Sequence, residues 1–405
     1  MTNSHSGTRH QRALAALLLC SLGLPMTLSA SNTHFEATLK TQALLTQPTD
    51  STHASKQFGV GLEAEFRNNF DSDNLIGIFT PYARWANENQ EVNHADVREL
   101  HLLHTAERWE GLVGISRVFW GVTESGHLVD IINQTDQREG FDGEDKLGQP
   151  MIRLSRILGQ DTLDLFLLSG FRERKFLPAS SPLALPFPIS NNNAVYGASN
   201  GRQHLDMAVR FSGYRDAIDY GVSWFSGTSR DPDFIPEATG VYLQRYPLIN
   251  QLGLDLQVTL ESWLWKLEAI HRTFDSESST DTYTAAITGA EYSLFGLANG
   301  LFDLGLLAEW HTDSRDNLAT VPLQNDLFTG LRLGFNDTQS SEVLAGAFFD
   351  LDDDSTSIRV EASRRVFGDA RISLESQSFT NIDPENAAYY LRDSDFLLLS
   401  LHVFF

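Results

Sequence analysis

Cysteine occurs once in the 405 residues, at Cys20. One cysteine cannot form an internal disulfide, so a small secreted fold stapled by cross-links is excluded. Long apolar runs are missing as well. Beyond the N-terminal stretch nothing approaches the ~20 apolar residues that a membrane helix needs, and mean hydropathy is -0.22. A helical membrane protein is thereby excluded. A β-barrel is not, because its inward and lipid faces alternate and average out. Basic residues are few, 30 against 53 acidic, for a formal net charge of -23, a sign that argues against a nucleic-acid partner. There is no G-x-S-x-G elbow, H-E-x-x-H, Walker loop or Rossmann glycine pattern. His311, Asp313 and Ser314 cluster near one strand end, but spacing along one strand is no catalytic geometry. Neither an enzyme nor a cofactor is expected.

What is present begins at the N-terminus. Arg9 and Arg12 precede an apolar stretch at 13–24, Pro25 breaks it, and small residues follow at Ser29 and Ala30. This is the pattern of a secretory signal peptide, residues 1–30. Leu19 stands where a lipoprotein signal has a small residue, so Cys20 is not expected to be lipidated. Removing Arg9 and Arg12 takes the 30 basic residues to 28 against 53 acidic, a net of -25. The mature chain, 31–405, is read as one domain without cysteine.

From about residue 34 the hydropathy period is two. Phe58, Val60, Leu62, Ala64 and Phe66 alternate with Gly59, Gly61, Glu63 and Glu65; Leu252, Leu254, Leu256 and Val258 alternate with Gly253, Asp255 and Gln257. Such dyads between polar turns are the barrel signature. They predict strands at 34–45, 56–66, 75–86, 95–106, 109–117, 150–157, 162–171, 203–213, 217–227, 251–260, 262–274, 281–294, 301–311, 325–335, 341–350, 355–366, 369–379 and 394–405. The fold class is therefore all-β: a transmembrane antiparallel up-and-down barrel of about 18 strands, or 16 if one weak pair is misread. Connection lengths agree. The long ones, 118–149, 172–202 and 228–250, all fall at odd positions, as outer loops should, and the even ones are short. Trp85, Trp109, Trp224, Trp263, Trp310 and Tyr214 lie near strand ends, where aromatic belts form. The last strand carries Leu397, Leu399, Leu401, Val403 and Phe405 on one face. It resembles the terminal recognition strand of Gram-negative outer-membrane proteins.

The most distinctive stretch is the third outer connection. Trp120 and Gly121 leave a strand; His127, Asp130 and Asn133 follow at spacing three, with aliphatics between them. This spacing predicts a short amphipathic helix that folds into the barrel and lines a constriction with Glu124, His127, Asp130, Asn133 and Asp136. Trp-Gly followed by Asp-x-x-Asn-x-x-Asp resembles the early region of uncharacterised porin-like outer-membrane families, and alginate-export-type barrels are similar in general plan. The resemblance is sharp only over residues 117–136. It implies an eighteen-strand-like channel with inward-folded loops and names no solute. Arg332, Arg359, Arg365 and Arg371 fall on the lumen face by alternation and are expected to form a basic wall opposite the acidic loop, or to pair with Glu361 and Glu375. The proline-rich connection from Arg172 to Ile189 is expected to pack on the inner wall or on the third loop. Acidic groups at Asp142, Glu144 and Asp145 and at Asp350 and Asp352 to Asp354 lack a full calcium-loop pattern, and no metal site is assigned.

These features imply a mildly cation-preferring passage for small hydrophilic solutes in the outer membrane of a Gram-negative bacterium. The alternatives are a barrel that moves hydrophobic or lipid-like molecules and a structural or adhesive barrel. The implied partners are outer-membrane lipids and lipopolysaccharide, the barrel-assembly machinery through the last strand, small solutes, and a second copy of the chain in a homo-oligomer.

Overall fold

The computed structural model describes residues 33–46, 55–70, 74–87, 92–140, 143–178, 181, 183–185, 187–275, 282–316, 319 and 321–405. The expected signal segment, with Cys20, and Asp142 lie outside them. Residues from His34 to Phe405 form one compact unit. The period-two pattern resolves into β1 (Thr33–Thr46), β2 (Lys56–Asn69), β3 (Leu75–Ala86), β4 (His94–Thr105), β5 (Trp109–Ser116), β6 (Gln149–Leu158), β7 (Asp161–Leu168), β9 (Asp206–Arg215), β10 (Ile218–Thr228), β13 (Leu248–Leu260), β14 (Trp263–Phe274), β15 (Thr282–Gly296), β16 (Phe302–Asp313), β17 (Asn325–Phe335), β18 (Glu342–Asp350), β19 (Thr356–Val366), β20 (Ala370–Thr380) and β21 (Phe396–Phe404). These eighteen strands form one sheet, in which β21 pairs with β1. That seam is antiparallel and runs from Thr38 opposite Phe404 to Thr46 opposite Phe396. Closure leaves no open edge, the condition for a sheet in lipid. All eighteen expected strands are present, so the sixteen-strand alternative falls away.

Alternation sorts the side chains. Trp85, Val113, Ile152, Leu252, Trp265 and Leu331 face outward and are exposed, whereas Phe225, Ile249, Ile287, Glu268 and Glu309 face inward and are buried. An exposed apolar surface of this extent needs a non-aqueous neighbour. Connections at one rim are short, two residues at 159–160, 216–217 and 261–262, while the opposite rim carries 117–148, 169–205 and 229–247. Gly159 sits at φ 76° in its turn, a conformation that favours glycine.

One element has no counterpart in the hydropathy pattern. β8 (Val195–Tyr196), β11 (Asp233–Pro236) and β12 (Tyr242–Tyr246) form a small three-stranded sheet within two long connections. Its strands have two to five residues, too few to show a period. Phe187 packs against Phe234 and Tyr242 beside it, with ring centroids 6.1 and 5.1 Å apart.

Candidate functional site

The connection 117–148 folds into the barrel, and its aliphatic residues explain why. Val129, Ile131 and Ile132 join a buried cluster with the inward residues Leu112, Met151, Phe166, Phe225, Ile249 and Ile270. Burying such side chains is worth about 1.5–3 kcal/mol each. The expected helix is absent, however: residues 117–134 have no helical turn. A helix would satisfy its own amides. Here the backbone runs irregularly, and the wall supplies the acceptors instead.

Two wall carboxylates do most of this. Glu268 Oε1 accepts from the Val122 amide at 2.7 Å, the Thr123 amide at 3.1 Å and the Thr123 hydroxyl at 2.8 Å. Its Oε2 accepts from the Val129 amide at 3.2 Å. Glu309, on the next-but-one strand, accepts from the Glu124 amide at 2.9 Å and the Ser125 amide at 2.8 Å. The Ser125 hydroxyl donates to Glu309 at 2.5 Å and lies 2.7 Å from His311 Nε2. With the single serine proton given to Glu309, His311 must donate to the hydroxyl. The trio therefore holds the loop and does not activate a nucleophile. Gly121 makes the close approach possible. Its φ is 152°, and a Cβ there would lie 2.8 Å from His127 Nδ1 and 3.0 Å from Glu268 Oε1.

The sequence-predicted loop residues divide into two groups. Glu124 reaches into the lumen, where its carboxylate pairs with Arg332 at 2.6 Å. His127 bridges Glu144 at 2.9 Å and Glu268 at 3.8 Å. Burial disfavours its charge, but the two carboxylates outweigh that and push its pKa up to about 9. Asp130 is buried against Lys146 at 3.0 Å, and burial pushes its carboxyl up while Lys146 opposes. Asn133 and Asp136 are 1 % and 0 % exposed, so their polar atoms are spent inside the protein, although Asn133 borders a polar cavity beside the loop. Asn133 accepts from the Val118 amide at 2.8 Å and donates to the Ser116 and Leu147 carbonyls at 2.9 and 2.8 Å. Asp136 takes Arg98 at 3.2 Å and Arg138 at 2.8 Å. Trp120 is buried, edge-on to Phe166 at 5.6 Å. The polar spacing that suggested one wet helical face serves instead to saturate internal backbone and charge.

Asp136 belongs to a hub that sequence reasoning missed. Glu139 pairs with Arg84 at 2.8 Å and His94 at 3.2 Å, and Tyr82 donates to it at 2.7 Å. Burial opposes ionisation of Glu139, yet these partners hold it well below the usual carboxylate range. His94, Asp136 and Glu139 bring ligand-type atoms within 4.8 Å. The guanidinium groups of Arg84, Arg98 and Arg138 already neutralise the two carboxylates, so a divalent ion would meet like charge. Arg98 faces inward because the β3–β4 register shifts at Thr80/Pro81, which simple alternation does not show.

The basic residues do not form one wall. Arg332 meets the loop through Glu124, and Arg359 pairs with Glu361 on its own strand. Arg365 and Arg371 are paired neighbours across β19 and β20 beside the 367–369 turn, at the short-turn rim. A second basic set lies at the long-connection end: Arg174 and Arg272 share Asp231 at 2.9 and 3.0 Å, Arg230 takes Asp206 at 2.7 Å and Arg315 takes Asp313 at 2.6 Å. The Arg174 side chain also donates to Gln134 at 3.1 Å, so the proline-rich connection packs on the third loop.

Three adjoining cavities lie between these walls. One of about 430 Å³ lies among Phe176, Leu185, Phe187, Phe234 and Tyr390. It shares Arg174, Asp231 and Val321 with a polar one of about 270 Å³ lined by Asp130, Lys146, Arg272 and Arg315. It shares Leu183 and Leu391 with one of about 220 Å³ that reaches Ser125 and Arg359.

No protein-family model matches this chain, and no curated protein matches by sequence. Solved structures do match its fold. OccAB1 of Acinetobacter baumannii aligns with a TM-score of 0.55 at 8 % identity, over 92 % of this chain and 96 % of that one. OccK3 (OpdO) of Pseudomonas aeruginosa gives 0.55 at 9 %, over 92 % and 95 %. A BenF-like porin from Pseudomonas fluorescens Pf-5 gives 0.54 at 10 %, over 93 % and 98 %. At this identity the likeness is one of fold. The comparison with alginate-export barrels finds no support, and porin barrels take its place.

Proposed function

We propose that the protein is an outer-membrane channel for passive diffusion of small hydrophilic solutes. The observation that carries this is a closed eighteen-stranded barrel with an apolar exterior whose lumen is narrowed by a docked loop and retains adjoining cavities. The short-turn rim then faces the periplasm and the long connections face outside. Lipid and lipopolysaccharide are the partners of the outer surface, and the terminal strand is the segment that barrel-assembly machinery recognises. Chemical turnover has no place in this reading.

A mild cation preference follows from the excess of acidic residues, 53 against 30, since fixed charge along a pore sets its selectivity. Constriction would lie where Glu124 meets Arg332, with His127 and Glu144 above. The test is single-channel recording of the refolded protein in a planar bilayer under a salt gradient. Stepwise currents with a reversal potential toward the cation value are expected, and E124Q should change their size. A silent bilayer with verified folding would sink the channel reading. A second reading, passage of amphipathic solutes, is favoured by the aromatic and aliphatic lining of the 430 Å³ cavity.

A further inference from the structure

The seam of the barrel carries an arrangement that the loop and the cavities do not use. Arg365 on β19 is directly opposite Arg371 on β20. Arg371 is opposite His402 on β21, and His402 is opposite Lys40 on β1. Ile358, Ile372 and Leu399 are exposed on the outer face. Alternation therefore turns Arg365, Arg371 and His402 inward. Gln42, 8 % exposed and a lining residue of an inner cavity, does the same for Lys40. Four basic side chains thus stand in one row across adjacent strands, spanning about 14 Å at ~4.8 Å per strand.

The tier above is as regular. Ser363 is opposite Ser373, Ser373 is opposite Ser400, and Ser400 is opposite Gln42. These are short or neutral hydrogen-bonding groups. Along these strands the first acids above, Glu361 and Glu375, stand one tier further on, opposite each other, and Glu361 is taken by Arg359. The serine tier itself ends at Glu342 on β18, which is opposite Ser363 and accepts its hydroxyl at 2.8 Å, and Asp369 lies two positions before Arg371 in the turn. Among the described residues, Lys40, Arg365 and Arg371 have no side-chain hydrogen bond or ion pair. Elsewhere in the lumen the arginines are matched with acids, as at Arg230 with Asp206 and Arg210 with Asp255. Like charges placed directly opposite are destabilising, and Arg365 and Arg371 make one such contact. Lys40 stands two strands further on, beyond a histidine that is largely neutral at pH 7. None of these three cations is ion-paired, so an anion would relieve the row.

We propose that this two-tier patch binds a phosphate-type oxyanion at the periplasmic end of the lumen. The guanidinium and ammonium groups supply charge and donors. The Ser373 and Ser400 hydroxyls supply further donors, that of Ser363 being given to Glu342, and the small size of these residues leaves room for the ligand. Chloride lacks the spread of acceptor oxygens that both tiers would engage. The inference rests on the lumen being open to water, as the channel reading requires. It places a cationic exit at the end of a passage whose overall charge is acidic.

The test measures binding and not conduction. The refolded full chain in neutral detergent is titrated by calorimetry with inorganic phosphate and with pyrophosphate at low salt. Saturable binding is expected, tighter for pyrophosphate because it spans more of the row. K40Q/R365Q/R371Q should weaken it at least tenfold, and K40R/R365K/R371K should keep it within threefold. S373V/S400V, which leaves every charge in place, should weaken it severalfold; this variant carries the test if the triple glutamine protein fails to fold. No saturable heat from the wild-type protein, or equal affinity in the serine variant, overturns the proposal. A silent bilayer alongside intact phosphate binding would defeat the channel reading and leave the anion site standing.

Discussion

Glu268→Gln tests how the third outer loop is held. The substitution keeps the size of the side chain and removes its charge. In the wild type the two carboxylate oxygens accept four hydrogen bonds from Val122, Thr123 and Val129, and His127 stands 3.8 Å away. A glutamine has one acceptor oxygen. Its less damaging orientation keeps that oxygen toward Val122 and Thr123 and turns the amide nitrogen toward the Val129 N–H, donor against donor. One bond to a charged group is lost, at roughly 1.5–3 kcal/mol, and three others weaken from charged to neutral. The loop should therefore lose about 3 kcal/mol of docking, close to a hundredfold in its local opening equilibrium. Hydrogen–deuterium exchange with mass spectrometry reads this directly. Peptides covering residues 120–132 should lose protection by that order, while peptides from β5 and β6 stay unchanged. A change of less than about threefold in the loop would refute the claim that Glu268 anchors it. So would an equal loss in the wall, which would mean that the barrel itself had been destabilised.

Three further outcomes follow from the same geometry. His127 has its pKa raised to about 9 by Glu144 and Glu268 against the effect of burial, above the ordinary value of about 6.5. Its stabilisation is complete below the ordinary value and is lost as pH rises through the raised one; loop exchange, corrected for base catalysis, should accelerate around that higher pH, and H127Q should abolish the step. Asn133→Ala leaves the Val118 amide and the Ser116 and Leu147 carbonyls buried without their partner, at about 1–3 kcal/mol per group. Limited proteolysis should then cut the loop in a barrel that still migrates as folded, and a loop as resistant as the wild type would count against it. Gly121→Ala puts a methyl carbon 2.8 Å from His127 Nδ1 at a φ of 152°, a strain of about 1–3 kcal/mol; Gly126→Ala, whose nearest contacts are 3.3 Å, should disturb loop exchange less.

The strands were legible because a barrel wall repeats one rule. Outward Leu252, Leu254 and Trp265 and inward Gln251, Asp255 and Glu268 follow from period two alone, and turn lengths then order the rims. The destination of the third loop was also legible, since Leu128, Val129, Ile131 and Ile132 carry too much apolar surface for water. Its conformation was not. A spacing of three suits a helix, but it also suits a chain that dips polar groups inward at intervals, and only the partners decide between them. The partners of Asn133 are carbonyls on either side of the loop, and those of Asp136 are Arg98 and Arg138. Arg98 faces inward only through a register shift in the β3–β4 ladder. The small sheet built on β11 and β12 escaped notice because its strands are shorter than any usable period.

Glu268 and Glu309 were visible as inward-facing acids, but nothing local distinguished them from charges that line a passage. Their neighbours do. Ile270 shares the inward face with Glu268, and Leu307 shares it with Glu309, two positions along in each case, and both apolar residues are buried. A carboxylate placed among buried aliphatics would not stay ionised unless donors reached it. An irregular loop docked inside a barrel has the complementary deficit, amides with no helical or sheet acceptor. Each deficit resolves the other. An acid flanked by inward aliphatics, on strands facing a long connection, is therefore better read as an anchor for loop backbone than as part of a selectivity ring. By that criterion the charges free to act on a solute are the ones with small polar neighbours. Arg365 and Arg371, next along their strands from Ser363 and Ser373, meet it; Glu268 and Glu309 do not.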